Sequence, residues 1–277
     1  MSETDDGDLG QDGDEFSEGE GESVFPVQYR QAGSVAAGLD QSALVQLQHC
    51  GTDQLAGLTD VGGVTVWSLP GLARLCELGE GVRGLAGNGE PGRLITCSQD
   101  QVEVWDTREP GKSVLRCRDT SKHGKPRPYS CCGAGAWLLA AGTEQVVGEA
   151  AILFWDLRSS GKLLGGYWET HSDDLTSLQF SPDSPGLLAT GGTDGLVNVL
   201  DTSQPSEDEA LVASLNTESS VGRAVWWGER LAVQTHTECL QLWDTREESG
   251  QQSTELDRAA VCHGIRRTNS HHTYIAG

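Results

Sequence analysis

The stretch Glu169–Asp201, "ETHSDDLTSLQFSPDSPGLLATGGTDGLVNVLD", decides the fold because its parts recur along the chain. Within it a short apolar run, "GLLATGG", passes through the turn residues "TDGL" into a second run, "LVNVLD". Two β-type runs joined through Asp-Gly read as a hairpin, since Gly supplies the positive φ of a tight turn. The pairing repeats as "QLAGL" before "GVTVWS", "RLITCS" before "QVEVWD", "WLLAAG" before "AILFWD" and "RLAVQT" before "LQLWD". The position near the end of the second run is Trp67, Trp105, Trp155, Leu200 and Trp243, at successive separations of 38, 50, 45 and 43 residues.

A period of about 40–45 residues is the spacing of propeller blades. Each ending alternates, as Val102 and Val104 do against Glu103 and Trp105, so the two faces of the strand are expected to carry different jobs. One repeat is therefore a small antiparallel sheet. Such a sheet cannot bury both faces alone, and radial stacking against copies of itself solves that problem.

Composition agrees with an all-β reading. The 277 residues include 36 Gly and 8 Trp but one Met, a balance that suits many short strands and tight turns better than helices. A net charge of -22, from 41 acidic and 19 basic residues, opposes binding to nucleic acid or anionic lipid. No run approaches the roughly 18 apolar residues of a membrane helix, and the N-terminus lacks a signal-peptide pattern, so an intracellular protein, cytoplasmic or nuclear, is expected. The 8 Cys are scattered, with Cys131 and Cys132 adjacent, which suits free thiols better than a disulfide framework. Residues 1–23 contain no Lys or Arg and are too polar to offset the entropy of ordering, so they read as a disordered acidic tail ahead of blades over 24–277. In that tail Ser2 and Ser17 precede Asp5 and Glu20 by three residues, the pattern favoured by acid-directed kinases.

The recurring units resemble the WD40 repeat family over about residues 35–277. The resemblance implies a WD40-type β-propeller whose blades share a buried structural network of His, Ser/Thr, Asp and Trp. On that pattern His171, Thr190 and Asp194 match in the opening stretch, with Leu200 standing where Trp is usual. Thr96, Asp100 and Trp105 match in the second unit without the early His, while Trp155 and Trp243 mark the third and fifth. A closer resemblance to one branch of the family rests on "GTEQVVGEAAILFWDLR", "YWETHSDDL", "TDGLVNVLD" and "SEDEALVASLNTESSV". Family members are expected to have about seven blades. This chain offers about five and a half, the last ending at "YIAG", so an incomplete propeller, a fragment or truncated isoform, is expected.

The motifs for chemistry are weak. "GEGVRG" at 79–84 has the G-x-G-x-x-G spacing, but the Gly-rich "LAGNGEPGRL" that follows cannot begin the helix a dinucleotide site requires. "PGKS" at 110–113 reads as a hairpin turn, because Asp106 stands where a phosphate loop needs Gly. Cys262, His263, His271 and His272 lack a matching Cys pair for zinc, no G-x-S-x-G elbow is present, and His171 among Glu169, Asp173 and Asp174 is assigned to the repeat network. No catalytic residue, cofactor or metal is therefore assigned. The partners expected are proteins, bound as peptides on blade loops by a non-enzymatic scaffold. W-D-x-R recurs with Arg108, Arg158 and Arg246, and in some family members this arrangement is similar to the element that docks a substrate receptor on a cullin-RING ubiquitin ligase adaptor. A second alternative is an acidic chaperone of histones or other basic proteins, drawing on the tail and on "SQPSEDEALV", Ser203–Val212, which reads as a solvated acidic loop.

Overall fold

Short strands with apolar residues on both faces are stable only when each face meets another sheet. In the computed structural model, which describes residues 42–121, 127–245 and 251–258, that requirement is met by five four-stranded antiparallel sheets. The first contains β1 (Leu44–His49), β2 (Gln54–Thr59), β3 (Val64–Ser68) and β4 (Ala73–Leu78). The second contains β5 (Gly84–Ala86), β6 (Arg93–Cys97), β7 (Val102–Asp106) and β8 (Ser113–Cys117). The third contains β9 (Tyr129–Ala134), β10 (Leu138–Thr143), β11 (Ala150–Asp156) and β12 (Leu163–His171). The fourth contains β13 (Leu175–Phe180), β14 (Leu187–Gly192), β15 (Leu196–Asp201) and, after a single turn of helix α1 (Glu207–Ala210), β16 (Leu211–Asn216). The fifth contains β17 (Val221–Trp227), β18 (Arg230–Thr235), β19 (Leu240–Asp244) and β20 (Gln251–Leu256). Strands follow one another up and down within every sheet. The fold is a WD40-type β-propeller with five blades among the described residues. The tail at 1–23, Arg246, the Cys262–His272 group and the half blade at "YIAG" lie outside them.

One irregularity recurs in every blade. The register between the third and fourth strands slips just before the Trp position, at Val66/Trp67, Val104/Trp105, Phe154/Trp155, Val199/Leu200 and Leu242/Trp243. A bulge of this kind bends the strand and raises its twist.

Among the described residues the core consists of four apolar clusters, each between two successive blades. Ala56, Leu58, Val64 and Val66 of the first blade meet Leu85, Leu94 and Trp105 of the second. Ile95, Val102 and Val104 meet Tyr129, Leu139, Leu153 and Trp155, with Tyr129 edge-on to Trp155 at 5.9 Å. Ala140, Ile152 and Phe154 meet Leu178, Leu188 and Leu200. Val197, Val199 and Leu215 meet Ala224, Trp226, Val233 and Trp243. In all four, the Trp-position side chain points toward the preceding blade. At about 1.5–3 kcal/mol for each large apolar side chain removed from water, these interfaces drive the stacking. They also give the two faces of β7 their different neighbours: Val102 and Val104 pack toward the third blade and Trp105 toward the first, so Val102, Glu103, Val104 and Trp105 are all buried.

The innermost strands β1, β5, β9, β13 and β17 pack in that order around the centre. Polar side chains hook β1 onto β5, β9 onto β13 and β13 onto β17. Gln46 donates through Nε2 to the Leu85 carbonyl (2.8 Å) and accepts the Leu85 N–H (2.9 Å). Ser177 does the same with Ala224, both contacts at 3.1 Å, while Ser130 and Thr176 donate to the Leu175 and Val221 carbonyls at 2.5 and 2.7 Å.

Candidate functional site

Three regions carry concentrated polar chemistry: a buried network in the fourth blade, a rim of arginines and tryptophans, and the central cavity. The network begins at His171, the last residue of β12 and 3 % exposed. Its Nδ1 lies 3.0 and 3.1 Å from the two oxygens of Asp194 in the β14–β15 turn, and its Nε2 lies 2.8 Å from Thr190 Oγ1 on β14. Asp194 also accepts the N–H groups of Ser172 and Leu196, each at 3.1 Å. Burial pushes the Asp194 carboxyl up, yet the His171 hydrogen bond and charge and the two N–H donors outweigh it and leave the group below the usual carboxylate range. Both imidazole nitrogens thus face structural partners. Asn198 donates to the Thr170 carbonyl at 2.8 Å, on the strand that carries Leu200 in the Trp place. Of the acids flanking His171, Asp174 accepts the Gln145 N–H at 2.6 Å, while Glu169 and Asp173 are exposed.

Strand register explains why the other blades hold less of this network. Thr190 pairs with the residue two before the Trp position, and in the other blades that place is taken by Gly57, Thr96, Ala141 and Val233. Only Thr96 can accept from its Trp, and Trp105 Nε1 donates to it at 2.9 Å. Asp100 does not join that pair: with no His to bind, it stays exposed, 3.9 Å from Arg118. Trp155 instead donates to the Arg118 carbonyl at 3.3 Å, and Trp243 to Gln241 Oε1 at 3.1 Å. Trp67 packs over Gly57, where an added Cβ would come within 2.7 Å of the ring.

In the second, third and fourth blades the Asp after the Trp position caps the turn that follows. Asp106, Asp156 and Asp201 accept the N–H two residues ahead, from Arg108 (3.1 Å), Arg158 (2.9 Å) and Ser203 (3.0 Å). Arg108 and Arg158 then return a two-bond fork to the same carboxylate, at 2.9 and 2.8 Å and at 3.0 and 3.0 Å. The Arg108 fork and N–H draw the Asp106 carboxyl down to about 2, and Arg158 lowers Asp156 likewise. In the fourth blade Ser203 and Gln204 bind Asp201 instead. The guanidinium of Arg158 lies 4.7 Å from the ring of Trp137, which is 45 % exposed. Trp227, 64 % exposed, ends β17 at the same end of the ring, because the first-to-second and third-to-fourth turns of up-and-down sheets share an end.

The inner strands enclose a cavity of about 590 Å³ whose lining includes Gln48, Arg83, Gln179 and Arg223. Arg83 pairs with Glu144 across to the third blade. Arg223 is half-buried, and burial lowers its pKa.

One residue that the sequence reading passed over is Glu207. It lies in the segment read as a solvated loop, but its carboxylate accepts the N–H groups of Trp168 and Glu169, both at 2.8 Å, and the Thr170 hydroxyl. It fastens α1 to the outer strand of the preceding blade. The Ser-x-x-Glu pattern at Ser206 and Glu209 signals the helical turn, and Ser206 caps it, but no local pattern points from Glu207 to residues 38 positions away. The seven described cysteines are free thiols, and no group of three metal-ligating side chains is present among the described residues.

No protein-family model matches the chain. Curated relatives are WD repeat-containing proteins. An uncharacterized one from Schizosaccharomyces pombe is 30 % identical over 168 residues, 58 % of this chain and 50 % of that protein. WD repeat-containing protein GTS1 of Arabidopsis thaliana is 32 % identical over 174 residues, 61 % of this chain and 42 % of that one. WD repeat-containing protein 89 homolog of Dictyostelium discoideum is 30 % identical over 156 residues, 54 % and 40 % of the two chains, and it lies in the branch that the longer sequence motifs resemble. The chain spans about half the length, or somewhat less, of these relatives. Among solved structures, a chain of the Mitotic Checkpoint Complex superposes with a TM-score of 0.61 at 18 % identity, over 78 % of this chain and 68 % of that one. The designed Ika8 protein gives 0.57 at 19 %, over 79 % and 63 %. Both show the fold alone.

Proposed function

We propose, from the premise of a WD40-type propeller whose relatives are WD repeat-containing proteins, that this protein is a non-enzymatic scaffold docking partner proteins on one rim of its blades. The observation that carries this reading is the rim itself. Arg108 and Arg158 are held in fixed forks, exposed Trp137 stacks on one of them, and exposed Trp227 lies at the same end of the blades. Trp and Arg dominate binding energy at protein interfaces, and a pre-ordered Arg loses little rotamer entropy when a partner arrives. The deeply buried His171 belongs to the scaffold side of the reading, since both its nitrogens are spent inside the blade.

Proximity labelling in cells, comparing wild type with Trp137→Ala combined with Arg158→Ala, tests it. A set of partners lost from the double variant at unchanged protein level supports rim docking; an identical set refutes it. Adaptor docking through W-D-x-R is the narrower version, favoured by the pre-oriented guanidinium groups. It predicts that Arg108→Ala with Arg158→Ala loses a cullin-ligase adaptor, whereas unchanged adaptor recovery removes that version and leaves the scaffold.

A further inference from the structure

We propose that Asn88 is a self-modifying site: its side-chain amide is lost through a cyclic imide with the Gly89 nitrogen, and hydrolysis leaves an isoaspartyl residue, the acceptor group of repair methyltransferases that use S-adenosylmethionine. This chemistry is independent of the scaffold reading.

Water is the only co-reactant. The Gly89 nitrogen attacks Asn88 Cγ, a C–N bond forms, the bond from Cγ to the side-chain nitrogen breaks, and that nitrogen leaves as ammonia with the Gly89 amide proton. Water then opens the ring at either carbonyl, giving an aspartyl or an isoaspartyl product with one new carboxylate. The attack is favoured by a side-chain carbonyl folded over its own main chain, a following N–H that is not held by an acceptor, and no side chain on the following residue.

Asn88 meets all three conditions. It stands in the turn between β5 and β6, and it is the one Asn in the sequence that Gly follows. Its Oδ1 accepts the Glu90 N–H at 3.2 Å, an Asx turn that folds the amide back over the chain. Gly89 is exposed, at a φ of 82°, and open space surrounds the place of its missing Cβ. Its N–H has no hydrogen-bond partner among the described residues.

The same turn recurs at Asn216 with the opposite outcome. Asn216 is exposed, and its Oδ1 accepts the Glu218 N–H at 2.9 Å. The residue that follows is Thr217, which is buried, gives its N–H to the Gly195 carbonyl at 2.9 Å, and directs its hydroxyl to the carbonyls of Gly195 and Ser219. A nitrogen so committed attacks only after the turn has opened. Asp194-Gly195 is protected in the same way, because the Gly195 N–H is donated to the Gly192 carbonyl at 3.2 Å, and Asn198 is enclosed at 3 % exposure. Among the described residues the fold therefore singles out Asn88. As a first-to-second turn, the β5–β6 connection lies at the end of the blades that carries Trp137 and Trp227, so the new carboxylate arises there, on a main chain one carbon longer in the isoaspartyl product.

The test ages the whole chain at physiological pH and temperature beside a synthetic peptide of residues 86–93. Peptide mass spectrometry reads the conversion of amide to carboxyl, enzymatic methylation by an isoaspartyl methyltransferase reads the isomerised product, and circular dichroism shows that the rates belong to the folded chain. Asn88 is expected to convert within about tenfold of the rate of the free peptide, mainly to the isoaspartyl form, with Asn216 slower than Asn88 by about tenfold or more. Methyl acceptance at this turn is expected to vanish in Asn88→Gln. An Asn88 that keeps its amide in the folded chain after the free peptide has converted overturns the proposal, and so does conversion of Asn216 as fast as Asn88.

Discussion

Substituting one turn acid in two different blades separates a repeat position that holds its blade from one that does not. Asp194→Ala in the fourth blade removes a carboxylate whose side chain is 6 % exposed. It deprives buried His171 of its partner at 3.0 Å and frees the N–H groups of Ser172 and Leu196. A hydrogen bond to a charged group contributes about 1.5–3 kcal/mol, while the two N–H groups lie near enough to the surface for water to replace much of theirs. The expected loss is about 3 kcal/mol, or roughly 6–12 °C in Tm for a domain of this size. Asp100→Ala removes the acid from the same turn of the second blade, where the carboxylate is 73 % exposed and meets only Arg118 at 3.9 Å. Its expected cost is within about 0.5 kcal/mol. Urea unfolding followed by tryptophan fluorescence gives the two values, and hydrogen exchange over β14 locates the change. The carboxyl of Asp194 lies below its usual range in the fold, so its contribution is complete above the unfolded carboxylate pKa of about 4 and fades as pH falls through the lower folded value. Wild type should therefore lose more stability than Asp194→Ala below pH 4. Similar costs for the two substitutions, or an Asp194→Ala protein as stable as wild type, would refute the reasoning.

Three further outcomes follow from the same geometry. Gly133→Ala places a Cβ 2.7 Å from the backbone carbonyl of Leu178, which cannot rotate away, so the third and fourth blades must part slightly; a loss of about 1–3 kcal/mol in the same urea assay is expected. In carboxyl-selective NMR titration, Asp106 should protonate near pH 2 and move up toward its usual range in Arg108→Gln, keeping its fork above about pH 4 and losing it as pH falls toward 2. Burial pushes the thiols of Cys50 and Cys117 up to about 12 and about 11, so iodoacetamide at pH 8 should leave both unmodified in the folded protein by peptide mass spectrometry, and modify both in urea.

Periodicity alone supplied the blades. The recurrence of a turn-linked strand pair ending at Trp67, Trp105, Trp155, Leu200 and Trp243 is a local signal, because each blade is built from contiguous chain and its hairpins are written in adjacent residues. The triad of His171, Thr190 and Asp194 was legible through the resemblance to the WD40 repeat pattern. Whether a match becomes a contact was not. Asp100 has the right spacing and stands on the surface, since its blade has no His to draw it in. Glu103 is a charged residue buried in its strand, since a neighbouring blade covers the face it shares with Trp105. Glu207 binds residues of the preceding blade, and the cavity lining is drawn from five blades at once. The sequence by itself determined what each blade is, through interactions a few residues apart. Only the tertiary structure decided what lies between blades, because residues there are set side by side by radial stacking and by no spacing along the chain.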